Sequence, residues 1–355
     1  MYEYGYRFLT PALGFTAGWM FLVAKSASAA TAALGLAGYL LTALAPATVH
    51  LARFMSPAIV IGITVTVATG IRRSTQVNTV IVSVTLATLA FFVVTSASGA
   101  DTTRFLPFFA PEQGRTPVGG LLYAAALAFV AYTGYGRIAT LGEEITDPRR
   151  NIPRAIAITV VVTFLLYVAV AASGVSILGA DGLAAAVSRT GAPLEVAAAR
   201  TTGTVGRVVL TVGAATALLG VLLNLVLGLS RVLLAMGRRG DMPSAVARVT
   251  RGTPRVAVAV MGGVVAAISL VGDIRLTWSF SAVTVLTYYA ITNLAALRLT
   301  DDLRRYPRWV SALGFVGCLG LAAFVDWRVL STAGAVLAVG LVWHLVARRS
   351  RTQPG

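Results

Sequence analysis

The stretch FVAYTGYGRIATLGEEITDPRRNIPRAI, residues 129–156, joins an apolar run to a charged loop punctuated by prolines. Residues 116–136 upstream carry no formal charge and are long enough to cross a bilayer as a helix. Gly134 and Gly136 stand among Phe129, Tyr132 and Tyr135, just ahead of the polar segment Arg137 to Glu144. Glycine weakens a helix interior, so this pattern suits a helix that breaks at membrane depth. A break there leaves carbonyl and amide groups that can hold an ion or a zwitterion. A glycine-lined contact with another helix satisfies the same pattern, and both readings stay open.

The rest of the chain fits that setting. Of 355 residues, 57% are hydrophobic and 12% charged, with mean hydropathy +0.81, which excludes a water-soluble globule and a disordered chain alike. Ten runs read as spans: 11–43, 54–71, 74–100, 116–136, 155–180, 208–230, 256–272, 276–297, 309–325 and 329–347. The runs 54–71, 256–272 and 309–325 are short and cross with little tilt or with snorkelling flanks. Membrane strands would alternate polar and apolar residues, and these do not, so the expected class is an all-α polytopic membrane protein. Cys318 is the single cysteine, which removes a disulfide framework and cysteine-based zinc spacings. No basic n-region with a short apolar core opens the chain, so a cleaved signal peptide is not expected.

The net charge of +16 comes from 28 arginines and one lysine against 13 acids. Counted by alternate connections, twenty basic residues fall in one set and eight in the other, with Lys25 inside the first run. That bias predicts both termini in the cytoplasm, as an even number of crossings also requires. The arginines therefore read as topology signals rather than a nucleic-acid surface.

Lys25 lies near the middle of the run 11–43, which Thr10 can cap and Pro11 can start. A lysine facing lipid there costs at least ~2.5 kcal/mol, so it faces protein or water, as a proton-titrating ammonium or a packing feature. The small residues that follow, from Ser26 to Ala33, favour close helix packing. Asn224, Thr216, Thr85 and Asn78 read as interhelical hydrogen-bond formers, His344 as an interface residue and His50 as part of an outer connection. Asp301 and Asp302 suit a solvated loop better than a metal pair. Residues 181–205 permit a short interfacial helix on the outer surface. No nucleophile elbow, HExxH, Walker or cofactor motif appears, so no enzyme chemistry and no cofactor are expected.

Residues 129–156 resemble the sixth helix and following loop of bacterial amino acid permeases in the amino acid–polyamine–organocation superfamily, nearest its cationic-amino-acid-transporter-like branch. Glu143-Glu144, Pro148 and Ile152-Pro153-Arg154 carry that match. LGLSRVLLAMGRRGDMP (Leu227 to Pro243) is similar to the eighth helix and its loop, GIRRSTQVNTVIV (Gly70 to Val82) to the start of the fifth, and GFTAGW (Gly14 to Trp19) to the start of the third. The matches run in family order.

The resemblance implies a LeuT-like fold of two inverted five-helix repeats plus two accessory helices, forming one transmembrane domain. On that reading 11–100 is a remnant of the first repeat, 116–297 the second, 309–347 the accessory pair and 348–355 a cytoplasmic tail. The first two family helices have no counterpart, so the fold is expected to be incomplete at its N-terminus. The implied function is secondary transport of amino acids or related amines across the cell membrane, coupled to H+ or Na+. A non-transporting membrane fragment or scaffold is the alternative. Carbonyls around Phe129, Ala131, Tyr132 and Gly134 would meet the substrate amino group, with Phe129 as a gate. Thr85 occupies the fifth-helix position where some proton-coupled relatives carry lysine, which leaves Lys25 as the candidate proton carrier. Glu143 and Glu144, with Arg154, are candidates for a cytoplasmic gate. Gly136 replaces an acid found in many cationic-branch members, which argues against a cationic substrate.

Overall fold

A backbone in lipid must satisfy its own hydrogen bonds, and this chain does so with helices. The computed structural model describes residues 2–70, 75–108, 114–134, 145–250 and 252–352. Its helices are α1 (Tyr2–Phe8), α2 (Pro11–Leu44), α3 (Ala52–Ala68), α4 (Thr75–Ser96), α5 (Pro117–Phe129), α6 (Pro148–Thr190), α7 (Pro193–Arg239), α8 (Arg255–Val271), α9 (Ile274–Leu297), α10 (Arg308–Ala322) and α11 (Trp327–Thr352). Each of the ten apolar runs overlaps one of α2 to α11. Among the described residues, eight helical stretches are long and apolar enough to cross a membrane, and α8 and α10 are the shorter apolar helices. The described residues hold no strand, only an isolated bridge between Thr250 and Thr253. The protein is an all-α polytopic membrane protein.

Local chemistry sets the ends. Thr10 Oγ1 accepts from Leu13 N–H at 3.3 Å ahead of Pro11, and Pro46 opens a 3-10 turn beyond α2. Thr116 caps α5 and Asp273 caps α9 through side-chain oxygens. At 1.5 Å per residue, α6 and α7 would run to roughly 65 and 70 Å, twice a bilayer core. Both are broken: Gly179 (φ 71°, ψ 169°) interrupts α6, and Gly203 (φ 61°, ψ −134°) interrupts α7. The spans are therefore 148–178 and 204–239. Between them lie two short helical pieces, 180–190 and 193–202, where the sequence permits one helix.

Contacts divide the chain into two compact units. The first comprises Met1–Ala37, His50–Thr75 and Leu218–Gly355; the second comprises Gly38–Val49 and Gln76–Ala217. The first unit's core gathers Phe15, Leu22, Val60, Leu229, Met236, Val258 and Val265. Within it α3 packs on α8, where a Cβ at Gly262 would stand 2.2 Å from Thr64 Oγ1, so glycine permits the approach. Hydroxyls join α2 to α9: Ser28 with Ser281 and Thr31 with Thr277, each at 2.7 Å. Small residues and hydroxyls at such seams replace the hydrophobic drive that lipid removes.

The first unit also ties its chain ends together. The Tyr2 and Tyr6 hydroxyls donate to Asp241 Oδ2 at 2.5 and 2.6 Å, and Trp343 Nε1 donates to the Asp241 carbonyl at 2.9 Å. His344 Nδ1 lies 3.7 Å from Asp241 Oδ1, and its ring stacks on Phe15. Arg239 covers the Tyr6 ring at 4.2 Å and pairs with Glu3 at 2.5 Å. Burial first, and the bond to Asp241 second, push the Tyr2 and Tyr6 phenols well above the ordinary tyrosine range.

The second unit is built on Phe92, Ile177, Ala197, Ala198 and Leu210. Asp101 accepts from Thr103 N–H and pairs with Arg104, whose guanidinium also donates to the Ile177 carbonyl. That bridge fixes the turn after α4 against α6.

Candidate substrate site

α5 starts as a well-made helix. Thr116 Oγ1 accepts from Gly119 N–H at 3.1 Å and Pro117 takes the first turn, where its missing N–H costs nothing. The α pattern stops at Phe129, and residues 130–134 continue as 3-10 turns. A 3-10 turn has poorer hydrogen-bond geometry than an α-helix, and this one closes the C-terminal end of the described apolar span Pro117–Gly134. Here it coincides with Val130-Ala131-Tyr132-Thr133-Gly134, the aromatic and glycine stretch that the sequence points to.

Side chains brace this turn. The Thr133 hydroxyl donates to the Val130 carbonyl at 2.8 Å, and the Tyr167 hydroxyl on α6 donates to the Ala131 carbonyl at 3.2 Å. The Tyr132 and Tyr167 rings meet edge to face, with centroids 5.3 Å apart. Ala131 and Gly134 are exposed, Phe129 and Tyr132 half-buried, and Thr133 buried. The turn thus presents Ala131 and Gly134 outward while Thr133 faces the protein. The Ala131 carbonyl already accepts one hydroxyl, but a carbonyl has a second lone pair for an ammonium.

The other candidates are spread over the chain. Lys25 sits half-buried on α2. Thr85 on α4 donates its hydroxyl to the Ile81 carbonyl at 2.8 Å, one turn back along its own helix. Arg154 is exposed near the start of α6, just past Pro153. Its gate partners Glu143 and Glu144, with Tyr135 and Gly136, lie outside the described residues. Asn224 and Thr216 both lie on α7, where the Thr216 hydroxyl donates to its own helix at the Val212 carbonyl.

Sequence reasoning missed three groups. Tyr167 lies in an apolar run and carries no motif; only its aromatic ring within a lipid-grade helix marks it. Glu195 is completely buried at 0% exposure, although it lies in a stretch that reads as permitting a short interfacial helix on the outer surface. Asp241 is the third residue from the end of the stretch 227–243, yet nothing in the sequence pairs it with Tyr2, Tyr6 and His344.

Comparison with known proteins identifies the family. The family described as amino acid permease matches residues 1–352. An uncharacterized transporter of Mycobacterium tuberculosis is 39% identical over 358 residues, spanning 99% of this chain and 78% of that protein. A branched-chain amino acid permease of Bacillus subtilis is 24% identical over 372 residues, 98% of this chain and 77% of the permease. A chloroplastic cationic amino acid transporter of Arabidopsis thaliana is 28% identical over 249 residues, 68% of this chain and 42% of its own.

Proposed function

We propose, for a chain that belongs to the amino acid permease family, secondary active transport of amino acids or related amines across the cell membrane, driven by an ion gradient. The observation that supports the reading is the change from α to 3-10 geometry at Val130–Gly134, the C-terminal end of the apolar span Pro117–Gly134. Peptide carbonyls in such a turn, with a lone pair to spare, can bind the ammonium end of a zwitterion. Phe129 stands just before the turn and Tyr132 within it, and the carbonyls around Ala131 and Gly134 receive the ammonium group.

Neutral side chains suit this site best. Gly136 supplies no carboxylate for a second positive charge, and one relative is named for branched-chain substrates. The excess of arginine in alternate connections supports cytoplasmic termini, with Arg154, Glu143 and Glu144 at the inner mouth as a gate. Lys25 serves as a proton carrier, because an ionisable group at that depth needs a protein or water partner. Thr85, whose hydroxyl donates to the Ile81 carbonyl at 2.8 Å, is the second candidate for proton coupling.

Counterflow in liposomes tests the reading. Vesicles holding the full chain and a panel of unlabelled amino acids should accumulate the labelled form of at least one neutral amino acid. No counterflow with any member of the panel would remove the function while leaving the fold intact.

A further inference from the structure

Among the described residues Glu195 is the most enclosed charged side chain, and the Val130–Gly134 turn does not involve it. It lies in the first turn of the helical piece 193–202, beside the buried Ala192, Ala197 and Ala198. Its carboxylate oxygens make no hydrogen bond of normal geometry among the described residues. Three groups face it. Arg207, itself 44% exposed, brings Nε to 3.7 Å; Thr211 approaches from the same helix; and Tyr39 from α2 meets the Leu194 backbone next to it. An ionised carboxylate held this way has only a guanidinium at 3.7 Å and the Thr211 hydroxyl to repay its desolvation, whereas a neutral carboxyl has far less to repay.

The segment that holds Glu195 is articulated. Gly179, Gly191 and Gly203 have φ of 71°, 67° and 61°, a region that L side chains avoid. A Cβ at Gly179 or Gly203 would meet nothing within 4 Å among the described residues, so glycine serves the backbone bend there and not close packing. Two short rods, 180–190 and 193–202, are thus strung on three bends between the spans of α6 and α7. By the arginine count this connection faces outward.

We propose that Glu195 is a proton-binding site of the transport cycle, neutral while the segment 180–202 that carries it is seated and ionised when that segment lifts and exposes it to water. On lifting, the carboxyl O–H bond breaks, the proton passes to water, and the carboxylate is left solvated, away from Arg207 on the span 204–239. The inference rests on the ion-coupled transport reading and names its ion. Burial raises the carboxyl to about 7, and Thr211 and Arg207 oppose the rise. Covered, the group holds its proton more tightly than in water. The covered state is therefore favoured in acid and weakens as pH climbs from the ordinary glutamate value toward neutrality.

Infrared titration of the full chain in liposomes tests the site without any substrate. A protonated-carboxyl band should vanish with a midpoint near pH 7, be absent in Glu195→Gln, and move up by about one unit in Arg207→Gln. In the same vesicles, uptake of labelled L-leucine should rise several-fold on imposing an outside-acid gradient. Glu195→Gln should abolish that rise, and Glu195→Asp should restore it. A wild-type band that does not titrate near neutrality, or a Glu195→Gln protein that still answers the gradient as the wild type does, overturns the proposal. If the band titrates as expected but no amino acid moves in counterflow, the transport reading fails while the proton site stands.

Discussion

Replacing Asp241 with alanine should release the N-terminal helix α1. Asp241 is 3% exposed, and the Tyr2 and Tyr6 hydroxyls reach one of its oxygens at 2.5 and 2.6 Å. A hydrogen bond to a charged group contributes about 1.5–3 kcal/mol. Tyr2 is buried, so its bond belongs near the upper figure; Tyr6 is half-exposed, so its bond belongs near the lower. Together they contribute about 4 kcal/mol to keeping α1 docked. That is nearly a thousandfold in the opening equilibrium. Hydrogen exchange reads it locally, at the last amides of α1, where Leu9 N–H bonds the Gly5 carbonyl at 3.1 Å. Asp241→Asn keeps the shape and an accepting oxygen but no charge, and should cost about half as much. The Trp343 indole bonds the Asp241 backbone carbonyl, which both variants retain, so α11 should stay in place. Exchange from α1 in Asp241→Ala within about threefold of wild type, under ~1 kcal/mol, would refute this account of the docking.

Two further outcomes follow from the same geometry. Tyr167→Phe removes the hydroxyl that braces the Ala131 carbonyl at 3.2 Å but keeps the ring contact with Tyr132; a loss of about 1 kcal/mol should appear as a roughly fivefold higher KM for counterflow with kcat little changed. The raised Tyr2 and Tyr6 phenols keep α1 docked at full strength below pH ~10, the unfolded tyrosine value, and docking should weaken as pH rises further. Tyr2→Phe together with Tyr6→Phe should flatten that alkaline dependence of α1 exchange.

The spans were legible in the sequence because lipid demands unbroken apolar runs, and prolines 11, 46, 117 and 148 mark where helices start or give way. Helix extent was less legible. The alanine-rich stretch 181–205 has no apolar periodicity of its own, and only the backbone angles at Gly179, Gly191 and Gly203 show that it forms two rods. The turn at Val130–Gly134 could be suspected from its glycine and aromatic residues, but a close helix contact would produce the same letters. Its bracing by Tyr167 depends on a residue far along the chain in an otherwise uniform apolar helix. Asp241 and Glu195 were illegible for a related reason. A carboxylate in a connection reads as solvated, and whether it is buried depends on partners as distant in sequence as Tyr2 and Tyr39.

An amino acid held at the 3-10 turn of Val130–Gly134, as proposed, should alter the exchange of the amides there. Hydrogen exchange of the wild-type protein in liposomes, read at residues 130–134 with and without an amino acid that supports counterflow, tests it most directly. The account predicts that these amides exchange faster than those of α5 before Phe129 and slow several-fold when the amino acid is added. Amides at 130–134 as protected as the rest of α5, and indifferent to the amino acid, would contradict it.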